Sequence, residues 1–274
     1  MPLRVTYDRT KGAFVLLYGP NNVGKTASTL ATCDLPVAYI MSEPRDIYRN
    51  IDVANKFRSE NKLPLLEPGK NMFIFDYENY DDLIRFMSTD DDIKWDNIAT
   101  MIIDSMSHIM NMELMCEIID EAHEGRMEKL SASKGKAAEL TKDLASKNKS
   151  TEEGYGVLAS AMKRLAGAAG RKTRTKGMAV ICLALEDEKP RMVDGNYIKV
   201  PLFAGRDFGK NVGGLFDFIG KVQPHVVDKD GKKVIEYPPQ VWFESPKQDF
   251  QAKWTGLSDK QVRAYRLDLR EILK

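Results

Sequence analysis

One stretch near the amino terminus constrains this chain more than any other feature, and it reads Gly19-Pro20-Asn21-Asn22-Val23-Gly24-Lys25-Thr26. It matches the pattern G-x-x-x-x-G-K-[ST], in which glycines let the backbone wrap an anion. The apolar run from Ala13 to Tyr18 predicts a buried strand before it, and a helix is predicted from Gly24 through Ala31. The alternative is a glycine turn that happens to precede a helix. Because strand and helix are both in register, the pattern favours a phosphate-binding loop.

The residue types of this loop indicate specific contacts. Its amide groups and the helix amino terminus are expected to face phosphate oxygens. Lys25 is expected to reach the β- and γ-phosphates, and the Thr26 hydroxyl to bind Mg²⁺. The predicted nucleotide-binding residues of the loop and helix are Gly19, Pro20, Asn21, Asn22, Val23, Gly24, Lys25, Thr26 and Ala27.

A phosphate-binding loop needs a carboxylate for the metal shell at the end of a neighbouring strand. Asp104 fits, because it closes the apolar run Thr100 to Ile103. Its alternative role is the N-cap of a helix starting at Ser105, and the two roles are compatible. Asp76 also ends an apolar run and is the main competitor, but its run is shorter.

Hydrolysis also requires a group that orients and activates water. Glu43 stands just past the predicted strand Val37 to Met41, at the sheet edge where ligands bind in open α/β sheets. A glutamate there can accept the proton of the water. The alternative is a solvated loop acid beside Pro44, and position alone does not separate the two.

Alternation of apolar runs with helical stretches predicts an α/β fold with a mainly parallel sheet and helices on both faces. Further strands are predicted at 72–75, 178–185, 216–222 and 241–244, with helices from 105 to about 123, at 156–167 and at 258–274. Asp230-Gly231 is a hairpin signal. We expect a core at 1–225 with a polar insertion at about 125–154, and a β-hairpin extension with a closing helix at 226–274.

Composition bounds the class of protein. The chain has 274 residues, 43% hydrophobic and 30% charged, and a net charge of +1. This is ordinary for a soluble globular protein, and overall charge does not indicate a nucleic-acid or membrane partner. Cys116 and Cys182 lie in apolar runs and are predicted to be buried, and the absence of paired cysteine spacing argues against a zinc site. The chain shows no signal peptide or membrane span, so we expect a cytoplasmic protein.

Three stretches resemble RecA and, more broadly, the RecA-core ATPases. The first is the phosphate loop, which many families share. The second is Ala159 to Gly167 followed by the strand Met178 to Leu185, and the third runs from Val212 to Val222. The resemblance covers roughly residues 10 to 225. The chain is also similar to compact phage-encoded RecA-core ATPases of single-strand annealing and recombination, in the Ile-Asp-Ser end at Asp104 and the β-rich tail.

The resemblance implies ATP and Mg²⁺ as cofactors and a role for each of several residues. Glu43 falls where RecA-like proteins place the catalytic glutamate, and Tyr48 is similar to the tyrosine that stacks on adenine. Lys253 corresponds to a lysine that reaches the γ-phosphate of a neighbouring subunit, with an ordinary surface lysine as an equal alternative. The chain departs from RecA at Glu186, where RecA has a glutamine that senses the γ-phosphate.

Basic residues after the fifth strand are the candidate site for single-stranded DNA, because this segment emerges on the nucleotide edge. Aromatic residues Tyr197, Phe203 and Phe208 lie among them, and cations with aromatic faces suit a single strand. The alternative is a flexible loop of average charge, since five acids dilute the segment. The cluster from Arg171 to Lys176 precedes the strand, so a solvated loop is favoured there. The candidate DNA-binding residues are Lys189, Arg191, Lys199, Arg206 and Lys210.

Two functions follow as hypotheses. The first is a Mg²⁺-dependent ATPase that binds single-stranded DNA and assists phage-type recombination or annealing. It would act as a homo-oligomer with ATP at subunit interfaces, in the host cytoplasm if the chain is phage-encoded. The second is a nucleotide-switched binding module with negligible turnover that recruits a protein partner, such as a single-strand-binding protein.

Overall fold

A computed structural model describes residues 12–44, 46–89, 93–116, 152–193, 195–204, 208–245, 247–254 and 264–273. The expected polar insertion at about 125–154 therefore lies almost wholly outside the described residues, and Arg206 lies outside them as well. Within these ranges no helix is long and apolar enough to cross a membrane.

The strands form one large sheet and one small one. The strands are β1 (Phe14–Gly19), β2 (Val37–Met41), β3 (Met72–Phe75), β4 (Thr100–Asp104), β5 (Ala179–Leu185), β6 (Arg191–Val193), β7 (Asn196–Ile198), β8 (Phe218–Lys229), β9 (Lys232–Trp242), β10 (Lys253–Trp254) and β11 (Ala264–Arg266). The large sheet has the order β11-β9-β8-β1-β5-β4-β2-β3, with β10 beside β8, and β6 pairs with β7. Pairing is parallel from β8 through β1 to β3 and antiparallel among β8, β9, β10 and β11.

Helices lie between the strands, and a last short helix follows β11. They are α1 (Lys25–Thr32), α2 (Tyr48–Glu60), α3 (Tyr80–Ser88), α4 (Met106–His108), α5 (Glu152–Lys176), α6 (Phe208–Asn211) and α7 (Leu269–Ile272). A π-helix, Ile109–Leu114, follows α4 directly, and 3₁₀ turns lie at Trp95–Asn97 and Val212–Gly214.

Each face of the sheet carries its own hydrophobic core, which is why the central strands are apolar at every position. On β1, Leu16 and Tyr18 face the core that α3, the π-helix and α5 cover. Val15 and Leu17 face the other core, under α1, α2 and α7. The predicted α/β class and helix-covered parallel sheet are therefore confirmed.

The helix before β5 is longer than the sequence indicates, because it spans Glu152–Lys176 rather than 156–167. The expected loop at Arg171 to Lys176 is wrong, since these residues form the last turns of the helix. Lys172 is buried with its ammonium 4.5 Å from the Trp95 ring centroid. A long aliphatic stem lets a lysine cover apolar surface there, which charge counting does not anticipate.

The predicted hairpin is confirmed at Asp230 and Gly231, which both have positive φ between β8 and β9. The short strand expected at 241–244 is only partly present: residues 241 and 242 are the end of a continuous β9, and residues 243 and 244 lie beyond it. Strand β8 runs through residue 225, with a register shift between Gln223 and His225. The division into a core and an extension at that residue stays a prediction.

Three other expectations change in the structure. Only three residues after Ser105 are α-helical before the π-helix begins, and Cys116 beyond it is exposed, not buried. A π-turn adds one residue and so rotates the residues that follow it about the helix axis. An α-helical interpretation of this stretch therefore assigns the wrong residues to the buried face. The closing helix is present but covers only Leu269–Ile272, and β11 stands where its earlier turns were expected.

Candidate nucleotide-binding site

The phosphate loop joins β1 to α1 at the carboxyl edge of the parallel strands. Gly24 is the N-cap of α1 with φ 91°, a left-handed conformation that glycine adopts without steric cost. Asn22 also has positive φ, 58°. Gly19 has a different reason to lack a side chain, because a Cβ there would lie 2.3 Å from the carbonyl oxygen of Val222. One glycine therefore shapes the loop, and the other lets β1 approach β8.

The Lys25 side chain folds back onto the loop that precedes it. Its Nζ donates to the carbonyl oxygen of Gly19 at 2.9 Å and to that of Pro20 at 2.7 Å. Both acceptors belong to the loop itself, so the ammonium is held against the loop backbone. Ala27 follows in α1 and is buried.

Asp104 meets the phosphate loop through Thr26. The Thr26 hydroxyl donates to Asp104 Oδ2 at 2.7 Å, and the Tyr39 hydroxyl donates to the same oxygen at 2.6 Å. The carboxylate is buried, so these donors replace solvent around it. Asp76, the competitor, is exposed and lines a different cavity.

Asp104 is not the N-cap of the following helix. Ser105 is the N-cap, because its hydroxyl accepts from the backbone N–H of His108. The same hydroxyl donates to Glu43 Oε1 at 2.8 Å. Glu43 is thus held at the end of β2 by the residue after Asp104, rather than standing free in a solvated loop.

Cavity-lining residues come from four strand ends and two helices. The cavity has a volume of about 250 Å³, and its lining residues are Asn21, Asn22, Val23, Gly24, Lys25, Thr26, Glu43, Asn50, Asp104, Ser105, Ala184 and Leu185. The sequence reasoning missed Asn50, Tyr39 and Ser42. For Asn50 a signal existed, since it lies near the start of a helix that follows the Glu43 strand.

Tyr48 lies elsewhere. This residue is 60% exposed and lines a separate cavity of about 580 Å³ beside β3, whose lining also includes Pro68, Phe73 and Ile98. This second cavity is larger, but the polar groups that suit a phosphate line the smaller one. On α2, Asn50 rather than Tyr48 lines the phosphate cavity. Stacking of Tyr48 on adenine stays a prediction.

Glu186 is paired within the chain. Its Oε2 lies 3.2 Å from Lys221 Nζ and its Oε1 lies 3.4 Å from Lys199 Nζ, as ion pairs rather than well-aligned hydrogen bonds. Its backbone N–H donates to the Gly19 carbonyl oxygen at 3.0 Å. Glu186 therefore touches the phosphate loop with its backbone and two lysines with its side chain.

Lys253 is also engaged in its own chain. Its Nζ donates to the carbonyl oxygens of Gly213 at 2.8 Å and Phe216 at 2.6 Å. A contact with a neighbouring subunit would require release of both bonds, so that role stays a prediction.

The candidate DNA-binding segment forms a hairpin of β6 and β7. Lys189 is exposed, whereas Arg191 pairs with Asp187 and Lys199 donates to the carbonyl oxygen of Glu188. For Lys210 only the backbone, in α6, is described.

The aromatic residues of this segment divide between core and surface. Phe203 and Phe208 are buried against each other, with ring centroids 5.1 Å apart, so they are not exposed base-stacking groups. Tyr197 is 68% exposed and lies opposite the exposed Met192 across the hairpin. An aromatic in a polar segment packs into the core when a core face is near, which composition does not reveal.

No protein-family model matches this chain, and a search of curated proteins finds no match. Among solved structures, the RadB recombinase is similar to it at 12% identity, covering 89% of this chain and 92% of that chain, with a TM-score of 0.44. At this identity and score the similarity identifies no site residue. The chain is an α/β protein with a mainly parallel sheet, a glycine-containing loop between β1 and α1, and Asp104 at the end of β4 bonded to Thr26 in α1.

Proposed function

We propose that this protein binds ATP with Mg²⁺ and hydrolyses it, and that it binds single-stranded DNA in recombination or annealing of the phage type. The observation that carries the nucleotide part is the meeting of Thr26 and Asp104, 2.7 Å apart at the mouth of the phosphate loop. A hydroxyl from the first turn of α1 and a carboxylate at the end of β4 are oxygen ligands of the kind Mg²⁺ prefers.

The described residues fit both cofactors. Lys25 is held by two carbonyl oxygens that a phosphate would replace as partners. Thr26 and Asp104 would hold the metal, and Tyr39 orients the Asp104 carboxylate through its second donor contact. When bound, Mg²⁺ neutralises charge that develops on the phosphate oxygens.

Glu43 is the residue that we expect to accept a proton from the attacking water. It lines the same cavity as Lys25 and Thr26, and Ser105 fixes one of its carboxylate oxygens. A carboxylate held in this way can orient a water that comes within hydrogen-bond reach. Lys25 contributes by stabilising negative charge on the transferred phosphoryl group.

Two substitutions test the nucleotide part. Lys25→Ala should weaken ATP binding by at least about tenfold, because a charge-assisted contact worth roughly 1.5–3 kcal/mol is lost. Glu43→Gln should retain ATP binding and lose turnover, measured as phosphate release with and without single-stranded DNA. ATP affinity that is unchanged in Lys25→Ala would contradict the assignment of the phosphate loop.

The DNA part is supported by the β6–β7 hairpin, where Tyr197 and Met192 are exposed opposite each other, and by the exposed Lys189 two residues before β6. An aromatic face can stack on a base of any sequence. If about four cations engage phosphates, log affinity should fall with log salt at a slope near −3. A flat salt response would exclude this surface as the DNA site.

The second candidate, a nucleotide switch without turnover, is favoured by one observation. Glu186 joins the phosphate loop to the hairpin, through its backbone contact with Gly19 and its ion pair with Lys199. Nucleotide at the loop would then order the hairpin for a partner such as a single-strand-binding protein. Absence of phosphate release by the parent protein, with ATP binding intact, would select this candidate.

A further inference from the structure

Five polar residues form a ring behind Glu43 at the carboxyl ends of three adjacent strands. Ser42 follows β2, Tyr77 lies two residues beyond β3, and Ser105 follows β4. His108 ends α4, and Glu113 lies in the π-helix. Because β4, β2 and β3 are neighbours in the sheet, their ends meet at one edge.

Ser105 is the member of the ring that touches Glu43. Its hydroxyl donates to Glu43 Oε1 at 2.8 Å and accepts from the backbone N–H of His108 at 3.2 Å. Its backbone N–H donates to Ser42 Oγ at 2.7 Å, and Ser42 Oγ lies 3.1 Å from the Ser105 carbonyl oxygen. Ser42 therefore fixes the peptide groups on both sides of Ser105.

Tyr77 closes the ring from β3. Its hydroxyl donates to Glu113 Oε1 at 2.9 Å and to Oε2 at 3.0 Å. Burial and the Glu113 carboxylate raise the pKa of Tyr77 far above its usual value, while a hydrogen bond with the Ser42 side chain partly opposes them. The phenol therefore stays protonated and remains a donor at any working pH.

The π-helix brings Glu113 to this place. His108 and Glu113 are five residues apart, and in an α-helix they would point about 140° away from each other. Here His108 Nε2 lies 4.0 Å from Glu113 Oε1. A π-helical stretch costs hydrogen-bond geometry and is found often at functional sites, so its use to complete this ring is an independent sign of a role.

We propose that Tyr77 is a positioning residue for the water-activating glutamate: it holds Glu113 beside His108, whose backbone N–H donates to the Ser105 hydroxyl that holds Glu43. This inference rests on the proposed ATPase function. Tyr77 does not line the phosphate cavity and contacts no group expected to react. It acts by restricting where the Glu43 carboxylate can lie relative to a water, and a displacement of about 1 Å at such a group can lower turnover by about 100-fold.

The variant Tyr77→Phe tests the proposal, because it removes one hydroxyl and keeps the ring. We expect kcat for ATP hydrolysis to fall about tenfold, while ADP affinity from equilibrium binding stays within about twofold of the parent. The matched control is Tyr80→Phe. Tyr80 is a buried tyrosine whose hydroxyl donates to the Ala161 carbonyl oxygen, away from this ring. The control should keep the parental kcat.

A second variant separates positioning from loss of stability. If Tyr77 acts through Ser105, then adding Tyr77→Phe to Ser105→Ala should lower kcat no further than Ser105→Ala alone. If instead the fold-losses in kcat of the two single variants multiply in the double variant, the two residues act independently and the proposal is overturned. If Tyr77→Phe does not fold, Glu113→Gln serves instead, and it should lower kcat about threefold with ADP affinity retained.

The remaining outcomes separate this inference from the function it rests on. If Glu43→Gln abolishes turnover but Tyr77→Phe keeps the parental kcat and loses only thermal stability, as Tyr80→Phe does, the positioning role is refuted and the ATPase stands. If Glu43→Gln retains full turnover, or the parent has none, the proposed hydrolysis fails and this role fails with it.

Discussion

Replacing Lys221 by methionine removes one partner of a buried ion pair. The Glu186 side chain is 11% exposed and that of Lys221 is 10% exposed, with 3.2 Å between Oε2 and Nζ. The Lys221 ammonium also lies 4.9 Å from the Phe250 ring centroid. Methionine is unbranched and fills most of the space of the lysine stem, so the substitution removes charge with little change in packing.

The expected loss of stability comes from the charge that stays buried. Breaking a buried ion pair by removing one partner costs about 3–5 kcal/mol, because the other charge remains desolvated. Lys199 stays 3.4 Å from Glu186 with its side chain 28% exposed, which offsets part of the loss. We therefore expect about 3 kcal/mol for Lys221→Met. With an m-value of about 3 kcal/mol/M, the urea midpoint would fall by roughly 1 M.

A surface lysine supplies the matched control. Lys70 Nζ lies closer to its partner Glu67, at 2.8 Å, but the two side chains are 72% and 50% exposed. Lys70→Met should cost about 0–1 kcal/mol, because water screens an exposed pair. The double variant Lys221→Met/Glu186→Gln should recover most of the stability. If Lys221→Met costs no more than Lys70→Met, the pair does not stabilise the fold as reasoned.

Three further substitutions have defined outcomes. Arg58 is buried and donates to three carbonyl oxygens around the end of α1, so Arg58→Met should cost about 3 kcal/mol in urea unfolding, whereas the exposed Arg49→Met should cost almost nothing. Burial raises the pKa of Cys33 from 9.0 to about 12. The contribution of the protonated thiol to the free energy of unfolding is therefore fully present below pH 9 and is lost as the pH rises towards 12. Cys33→Ala should reduce the slope of unfolding free energy against pH in this range by up to about 1.4 kcal/mol per unit, and an unchanged slope would contradict the buried thiol. Tyr39→Phe removes one donor to Asp104, so the Mg²⁺ concentration for half-maximal nucleotide binding should rise about tenfold, and titration at the parental value would count against metal binding there.

Local sequence was sufficient for the elements that carry the phosphate loop. The strands at Val37–Met41 and Met72–Phe75 have the predicted bounds, because short apolar runs between turn residues leave little choice. The loop glycine Gly24 adopts the left-handed conformation that the motif requires. Asp230 and Gly231 turn the chain between β8 and β9 for the same local reason.

Patterns of exposure were harder to predict, because they depend on the residues that lie opposite. Phe203 and Phe208 share a polar segment with Tyr197, yet only Tyr197 is exposed. The lysine at 172 lies in a basic cluster and is nevertheless buried along its stem. Charge and aromatic content are properties of a whole segment. Whether each side chain is buried or exposed depends on whether a core face lies next to it.

The sequence by itself determined the strand-loop-helix unit, the α/β class and the candidate residues at the strand ends, since these depend on periodicity and on backbone preferences within a few positions. Only the tertiary structure decided which strand ends adjoin. Thr26 and Asp104 are 78 residues apart and meet because β4 lies two strands from β1. The contacts of Ser105 with Glu43 and of Tyr77 with Glu113 also join residues that lie far apart in the sequence. Periodicity shows which face of a helix or strand is buried. Which other element packs against that face depends on the packing of the whole sheet.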